Sequence, residues 1–179
     1  MERVIIFIDG SNLYHILKSV YKNSVHLSSF NFNKFSDILC GNRKLIRTYY
    51  YNAILNQQED PEGYKGQQRF YERLKAIPDF EITLCRLQKN IVDGDVKYTI
   101  KEDDISIAVD MVKLAYNNAY DTAILVSTDG DFVPAVRAVK EKGKRVECVG
   151  FLKKFSWHLK QNCDRMIALR KDELDTCLQ

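Results

Sequence analysis

The sequence predicts a three-layer α/β fold in which helices cover both faces of a central, mostly parallel sheet. Short apolar runs alternate with amphipathic segments along nearly the whole chain, and this alternation is typical of parallel strands joined by right-handed crossovers. The chain has 179 residues, of which 45% are hydrophobic and 28% are charged. That length and composition suit a single domain with one well-buried interior.

The first part of the chain predicts two strands and two helices. Residues 4–8 form a continuous apolar run, typical of a parallel strand buried on both faces, and residues 11–19 follow as a helix. A short helix over residues 32–39 closes at Gly41, since glycine readily adopts the left-handed conformation at helix ends. Residues 45–55, which include three consecutive tyrosines, predict the second strand.

The middle of the chain predicts a helix, a strand and a hairpin. Apolar residues fall on one stripe of a helix over residues 61–77, whose initial proline suits a first turn. Residues 80–87 predict the third strand. Asp93 and Gly94 then stand between two β-rich runs, as in a tight turn, so a small hairpin excursion is expected at residues 90–100.

A buried helix and a further βαβ unit are predicted next. Residues 103–117 are apolar nearly all round and predict a largely buried helix. The apolar strand at residues 122–126 is followed by a helix over residues 131–142, which Asp131 could cap. Residues 145–151 then predict the fifth strand.

We expect residues 1–155 to form the domain and residues 156–179 to form a C-terminal extension packed on it. The extension reads as a short helix, a weak strand at residues 166–169 and a last helix. Apolar runs fall far short of the roughly 18 residues of a membrane span, and the N-terminus lacks the layout of a secretory signal. A cytoplasmic protein without membrane association is expected, and the oligomeric state stays open, homo-oligomers included.

Cysteines and histidines indicate no catalytic role. The five cysteines are an odd, widely spaced set without a C-x-x-C pair, so reduced thiols are expected rather than a zinc site or a disulfide framework. His15, His26 and His158 stand where structural or exposed side chains are usual. The net charge of +3 by itself indicates no class of partner.

Carboxylates stand where two buried strands end. Asp9 follows the first strand, and Asp129 and Asp131 follow the fourth. In an open parallel sheet the loops after the strands meet at one edge, and a site forms where the strand order reverses. If these two strands are neighbours at that point, Asp9, Asn12, Asp129 and Asp131 converge.

Converging carboxylates indicate a cation and a reaction class. They repel one another and take up protons unless a cation compensates their charge. Hard oxygen ligands suit Mg²⁺ or Mn²⁺, and such ions activate water for in-line attack on phosphorus. Phosphodiester hydrolysis is the natural reaction class.

Each acid also has a purely structural explanation. Asp9 opens an ordinary strand-to-helix turn in which Ser11 or Asn12 could be the cap, and Asp131 alone could be a helix cap.

A third acidic group lies at the start of helix 103–117, where the helix dipole favours acids. Helical phase does not choose among its members, because Asp104 and Asp110 are about 120° apart whereas Asp103 and Asp110 nearly share a face.

Two stretches of the chain resemble a known family. They are IFIDGSNLYH and KEDDISIAVDMVKLAYNNAYDTAILVSTDGDFVPAVRAVKEKGKRVECVGF. Their motifs occur in the order and at the intervals of the NYN domain family, specifically its LabA-like branch, and the resemblance covers roughly residues 3–151. NYN domains are similar to PIN-domain nucleases, so the resemblance implies a PIN-like, Rossmann-like fold and a ribonuclease activity.

The resemblance also implies roles for individual residues. Catalytic, metal-binding acids are implied at Asp9, Asp104, Asp129 and Asp131. Supporting groups that orient ligands or a water are implied at Asn12, Asp110 and Ser127. The resemblance, and not helical phase, ranks Asp104 above Asp103. Glu102 stands where relatives usually have glycine, a departure that bears on the turn that aims Asp104.

Basic and aromatic residues suggest a partner. Two stripes could contact phosphates, although solvated helix surface explains them equally well: Lys65, Arg69 and Arg73, and Arg137, Lys140 and Lys144. Tyr49, Tyr50 and Tyr51 could stack on unpaired bases, although strand residues in this position more often pack in the core. These features permit single-stranded RNA as the partner.

The leading hypothesis is a ribonuclease that depends on Mg²⁺ or Mn²⁺, with RNA chosen by the family resemblance. The alternative is a regulatory or RNA-binding module that keeps the fold and the acidic pocket without turnover. A phosphatase with an aspartyl nucleophile is less favoured, because that chemistry usually needs a second acid two residues later, where this chain has Ser11.

Overall fold

The computed structural model describes residues 1–22, 24–92, 95–151 and 155–178, and for residues 87–92 and 95–101 it describes the backbone alone. The described residues form a seven-stranded sheet, in the order β4-β3-β2-β1-β5-β6-β7. The strands are β1 (Arg3–Asp9), β2 (Lys44–Ala53), β3 (Phe80–Val92), β4 (Asp95–Lys101), β5 (Thr122–Val126), β6 (Arg145–Phe151) and β7 (Arg165–Leu169). The helices are α1 (Gly10–Val20), α2 (Phe32–Cys40), α3 (Pro61–Lys75), α4 (Asp103–Tyr116), α5 (Val133–Glu141), α6 (Trp157–Asn162) and α7 (Lys171–Asp175).

The central strands are parallel and are buried on both faces. In β1, Ile6 lies between Thr48 of β2 and Ile124 of β5. Alternate residues of β1 enter two separate cores: Val4, Ile6 and Ile8 pack with α1, α2 and α3, whereas Ile5 and Phe7 pack with α4 and α5. The predicted three-layer α/β architecture is therefore confirmed.

The predicted hairpin is the edge of the sheet itself. β3 runs on to Val92, and β4 pairs with its second half in antiparallel register, while the other neighbouring strands pair in parallel. The turn predicted at Asp93 and Gly94 lies outside the described residues.

The tyrosine run of β2 serves the core. Tyr50 and Tyr51 enter opposite cores and are fully buried, and Tyr49 stacks on Phe7 with ring centroids 5.8 Å apart. Helices cover both faces of this strand, so Tyr50 and Tyr51 have no face left for a nucleobase. The suggestion that they stack on RNA is wrong.

The C-terminal residues complete the sheet and both cores. β7 pairs in parallel with β6, and Leu159, Leu169 and Leu174 are buried. The boundary expected at residue 155 stays a prediction. All five cysteines are free thiols. Among the described residues, the structure contains no helix with the length and apolar character that crossing a membrane requires.

Candidate active site at the carboxyl ends of β1 and β5

The strand order reverses between β1 and β5. From β1 the chain passes to β2 on one side, and after α4 it enters β5 on the other side. The two strands are parallel neighbours, with Ile8 beside Val126 at their carboxyl ends. Asp9 and Ser127 therefore leave the sheet side by side, as expected for a topological switch point.

Asp9 is deeply enclosed, with 5% of its surface exposed. Its Oδ1 accepts a hydrogen bond from the backbone N–H of Asn12 at 2.9 Å, and its Oδ2 accepts one from the Ser127 hydroxyl at 3.0 Å. Burial raises the pKa of Asp9 to about 6, with smaller contributions from the charges of Asp104 and Asp103, while the two hydrogen bonds oppose the rise.

Gly10 lets α1 begin directly at the end of β1. A Cβ added to Gly10 would lie 2.5 Å from Cζ of Tyr50 and 2.7 Å from the carbonyl oxygen of Tyr51. The helix starts here, one residue earlier than predicted, and its cap is Asp9. The expectation that Ser11 or Asn12 caps this helix is wrong, because both residues already lie inside it.

A hydrogen-bond network ties the loop after β5 to α1. The side-chain oxygen of Asn12 accepts bonds from the backbone N–H of Thr128 at 3.1 Å and from its hydroxyl at 3.2 Å. The Ser127 hydroxyl, which donates to Asp9, accepts from the backbone N–H of Asp129 at 3.1 Å. Sequence reasoning missed Thr128, although a hydroxyl residue in the turn that follows a buried strand is a usable signal for such a tie.

Asp129 organises the turn that carries the last two acids. Its Oδ1 accepts a hydrogen bond from the backbone N–H of Asp131 at 2.9 Å, which caps a single 3₁₀ turn over Gly130–Phe132. α5 begins only at Val133, with no side-chain cap. The prediction that Asp131 caps this helix is wrong, because the 3₁₀ turn intervenes, and the Asp131 side chain is exposed.

Asp104, at the start of α4, interacts electrostatically with the acids that follow β1 and β5. It lies in the first turn of α4 and is exposed. Partial burial raises the pKa of Asp104 to about 6, and the charges of Asp103, Asp129 and Asp131 add to the rise. Asp104 also raises the pKa of Asp9, so its carboxylate interacts with the acids that follow both strands.

The other acids around the start of α4 have different surroundings. Asp103 is buried. Asp110 accepts a hydrogen bond from the Tyr51 hydroxyl at 3.0 Å and forms an ion pair with Lys113, so it is tied to β2 and to its own helix. Glu102 has left-handed backbone, with φ of +77°, a conformation that glycine adopts without steric cost.

The acids create a negative field that suits a hard cation. Among the side chains that the structure describes, no lysine or arginine forms an ion pair with Asp9, Asp104, Asp129 or Asp131. Within the described ranges, no group of three or more His, Cys, Asp or Glu side chains is already arranged to hold a metal ion. The donor set consists of carboxylate oxygens, which fit the chemistry of Mg²⁺ and Mn²⁺.

The basic stripe of α3 lies beside a cleft that reaches the first turn of α1. Lys65, Arg69 and Arg73 are exposed, and Lys65 forms a surface ion pair with Glu62 at 3.0 Å. Arg69 and Arg73 line a depression together with Ser28, and Ser28 also lines a cleft of about 790 Å³ that reaches Ser11.

The basic stripe near α5 is largely engaged by partners. The Lys140 ammonium contacts the carbonyl of Asn162 at 2.7 Å and Asp164 at 3.1 Å. Lys144 pairs with Asp121, which precedes β5 at the amino edge of the sheet, opposite the acids. Arg137 donates to the side-chain oxygen of Asn162.

A sequence match that spans nearly the whole fold identifies the family of this chain. The family model of the NYN domain matches residues 3–170, from β1 to just past β7. This chain belongs to the NYN domain family. The family resemblance carried by the acidic motifs is thereby confirmed, and with it a PIN-like nuclease fold.

Two known proteins are similar to this chain. An uncharacterized protein of Methanocaldococcus jannaschii is 36% identical over 175 residues, which cover 96% of this chain and 57% of that protein. The chain therefore spans little more than half the length of this relative. The crystal structure of a protein of unknown function from Vibrio parahaemolyticus is similar with a TM-score of 0.72 and 25% identity, over 96% of this chain and 94% of that chain.

Proposed function

We propose that this NYN protein is a divalent-metal-dependent ribonuclease that hydrolyses RNA phosphodiester bonds. Its catalytic acids would be Asp9, Asp104, Asp129 and Asp131. The observation that carries the proposal is the convergence of acids at the switch point, where the Ser127 hydroxyl bonds both the Asp9 side chain and the Asp129 backbone. The raised pKa of Asp104, to which the charges of Asp129 and Asp131 contribute, agrees with this crowding. Carboxylates crowded in this way are costly to the fold without a cation, and such perturbed groups cluster at functional sites.

The four acids would hold Mg²⁺ or Mn²⁺. When bound, the ion would make a water more acidic and would neutralise charge on the scissile phosphate. The carboxylate donor set and the PIN-like fold support this assignment.

Supporting residues would keep the acids in place. One hydroxyl, that of Ser127, bonds both the Asp9 side chain and the Asp129 backbone, so it sets the spacing of acids that follow different strands. Asn12 holds the intervening loop, and Asp110 would act through its bond with the buried Tyr51. Both oxygens of Asp9 accept hydrogen bonds, which suits a fixed ligand better than the free nucleophile of a phosphatase.

Single-stranded RNA is the proposed substrate. The family supports RNA, and a cleft of about 790 Å³ reaches Ser11, two residues after Asp9. Lys65, Arg69 and Arg73 would contact its phosphates from α3. The stripe formed by Arg137, Lys140 and Lys144 would contribute less, since protein groups already engage these cations.

The test is cleavage of end-labelled single-stranded RNA with Mg²⁺, Mn²⁺ or a chelator. We expect metal-dependent cleavage by the wild type and its loss in Asp104→Asn and Asp129→Asn, with folding checked by circular dichroism. Asp37→Asn is the matched control, because Asp37 is an exposed acid on α2. Cleavage that survives in the site variants would come from a contaminant and would overturn the proposal.

A non-catalytic RNA-binding NYN module is the second candidate. Glu102 favours it, since a residue other than glycine holds the left-handed position just before the acids of α4. RNA that is bound but stays intact with every metal would support this candidate.

A further inference from the structure

Phe155, Trp157 and Lys160 form an exposed cluster, here called the aromatic platform. Trp157 is 57% exposed and Phe155 is 39% exposed. The Lys160 ammonium lies 5.0 Å from the ring centroid of Phe155 and 5.2 Å from that of Trp157. Tryptophan is highly buried on average, so two open rings that share one cation indicate a binding surface.

The start of α6, which carries Trp157, adjoins the turn that carries the acids. A Cβ added to Gly130, which lies between Asp129 and Asp131, would sit 3.2 Å from the Ser156 hydroxyl and 3.5 Å from Cβ of His158. Trp157 is the residue between these two contacts. Its Cα therefore lies within about 10 Å of Gly130, given the fixed spacing of consecutive residues. That distance is about three nucleotides at a stacked rise of roughly 3.4 Å.

We propose that the aromatic platform binds unpaired nucleotides of the RNA strand whose phosphodiester bond enters the acidic site. The proposal rests on the proposed function for the identity of the strand. The rings would stack on one or more bases, which is possible for every base because each has a π-face. A base paired in a duplex is already stacked and hidden, so the platform would select single-stranded RNA.

The charge of Lys160 supports a nucleic-acid ligand. Within the described part of the chain, Lys160 forms no ion pair with a carboxylate, so its ammonium can meet a phosphate beside the stacked base. Surfaces that bind single-stranded nucleic acid commonly combine positive charge with exposed aromatic rings. Contacts on both sides of the scissile bond, α3 on one and the platform on the other, would hold the strand across the acids.

Binding at Trp157 can be followed by intrinsic tryptophan fluorescence, because the chain contains a single tryptophan. The wild-type protein, kept in chelator to prevent cleavage, is titrated with a short single-stranded RNA and then with the same RNA annealed to its complement. We expect saturable quenching of tryptophan fluorescence by the single strand and much weaker quenching by the duplex. Fluorescence anisotropy of end-labelled RNA measures total binding independently.

Variants separate stacking from general surface effects. Trp157→Ala should weaken binding about 5- to 150-fold, the range for one stacked base, while Trp157→Phe keeps a ring and should keep most of the affinity. Lys160→Gln should reduce the slope of log K against log salt by about 0.7, one phosphate contact on a single strand. Tyr116→Ala should change nothing. Tyr116 is an equally matched control, because it is 57% exposed with Lys142 at 4.9 Å from its ring, and it lies at the far end of α4 from Asp104, about 18 Å away.

The outcomes distinguish the two proposals. RNA that binds by anisotropy without quenching, and equally well in Trp157→Ala, overturns the platform, leaves the nuclease intact and points to a protein partner for these rings. Quenching without metal-dependent cleavage supports the platform and overturns the nuclease. Absence of RNA binding in chelator overturns the platform, and the cleavage assay with metal then decides the nuclease on its own.

Discussion

Replacing Asp9 with asparagine should stabilise the metal-free protein at neutral pH. The pKa of Asp9 is about 6 in the folded protein, against an ordinary value of 3.8. Between these values the folded protein holds the proton more tightly than the unfolded chain does. The contribution of Asp9 to stability therefore falls as the pH rises through this window, and it stays at its lowest above about pH 6. A difference of about two pKa units corresponds to about 3 kcal/mol.

The asparagine should keep most of the local contacts. Its amide oxygen can still cap α1, because asparagine is a good N-cap, and its amide group can donate to the Ser127 hydroxyl. The pKa of about 6 already includes the hydrogen bond that Ser127 donates to the charged carboxylate. Rearrangement of this bond around the amide group subtracts about 1 kcal/mol. The free energy of unfolding should therefore rise by about 1–2 kcal/mol, or about 2–8 °C in melting temperature for a chain of this size.

Urea unfolding in chelator, at about pH 7.5 and about pH 4, measures the effect. The gain should disappear at the acidic pH, where the wild-type carboxyl is mostly protonated. Asp121→Asn is a control of opposite sign, because hydrogen bonds from Arg3 lower the pKa of Asp121 to about 2, so its removal should destabilise the protein at neutral pH. Added Mn²⁺ should stabilise the wild type more than Asp9→Asn, since an ion that binds only the folded state raises its stability.

One result would refute the reasoning about crowded acids. If Asp9→Asn loses the same stability at both pH values, Asp9 acts as a helix cap whose charge is well accommodated. The acidic site would then need no cation to balance it.

Three further predictions concern the backbone and the loop that frame the site. Gly10→Ala should destabilise the protein by about 2–3 kcal/mol in urea unfolding, since the added methyl group would meet a buried ring and a carbonyl. The control Gly66→Ala is also helical but has open space around it, so it should stabilise the protein by up to about 1 kcal/mol. Ser127→Ala should weaken Mn²⁺ binding roughly 10- to 100-fold in titration calorimetry, as loss of a hydrogen bond that orients a ligand does elsewhere; unchanged affinity would remove Asp9 from the ligand set. Glu102→Gly should stabilise by about 0.5–1 kcal/mol, because relief of the left-handed strain exceeds the entropy cost of glycine, whereas Glu72→Gly within α3 should cost about 1 kcal/mol.

Local sequence patterns predict most helices and strands, because short runs of neighbouring residues determine where these elements begin and end. The run 122–126 is bounded by polar turns and matches β5 at both ends, and Gly41 and Gly143 have the positive φ expected beyond the helices that they end. The length of β3 is not encoded in this way. Its second half is paired with β4 alone, and edge pairing of this kind depends on the chain that folds back beside it.

The site acids are predictable in identity, whereas their contacts are not. Two apolar strands that each deliver an acid into a turn suffice to place Asp9 and Asp129 at one edge of the sheet. Sequence did not indicate that the Ser127 hydroxyl would bridge them, since that depends on the lateral register of β1 and β5. The closeness of the start of α6 to Gly130 likewise depends on how that helix packs against the 3₁₀ turn.

Whether helical phase favours Asp103 or Asp104 as a site acid depends on the residue with which their positions on the helix are compared. Helical phase compares each with Asp110, and this comparison would select Asp103 if Asp110 faced the site. Asp110 instead bonds Tyr51 and Lys113, so the residue that shares its face is turned inward, and Asp103 is indeed buried. Asp104 interacts with Asp129 and Asp131, whose position is set by a turn distant in sequence. A helical wheel shows which residues share a face, but the neighbours of that face come from the tertiary fold.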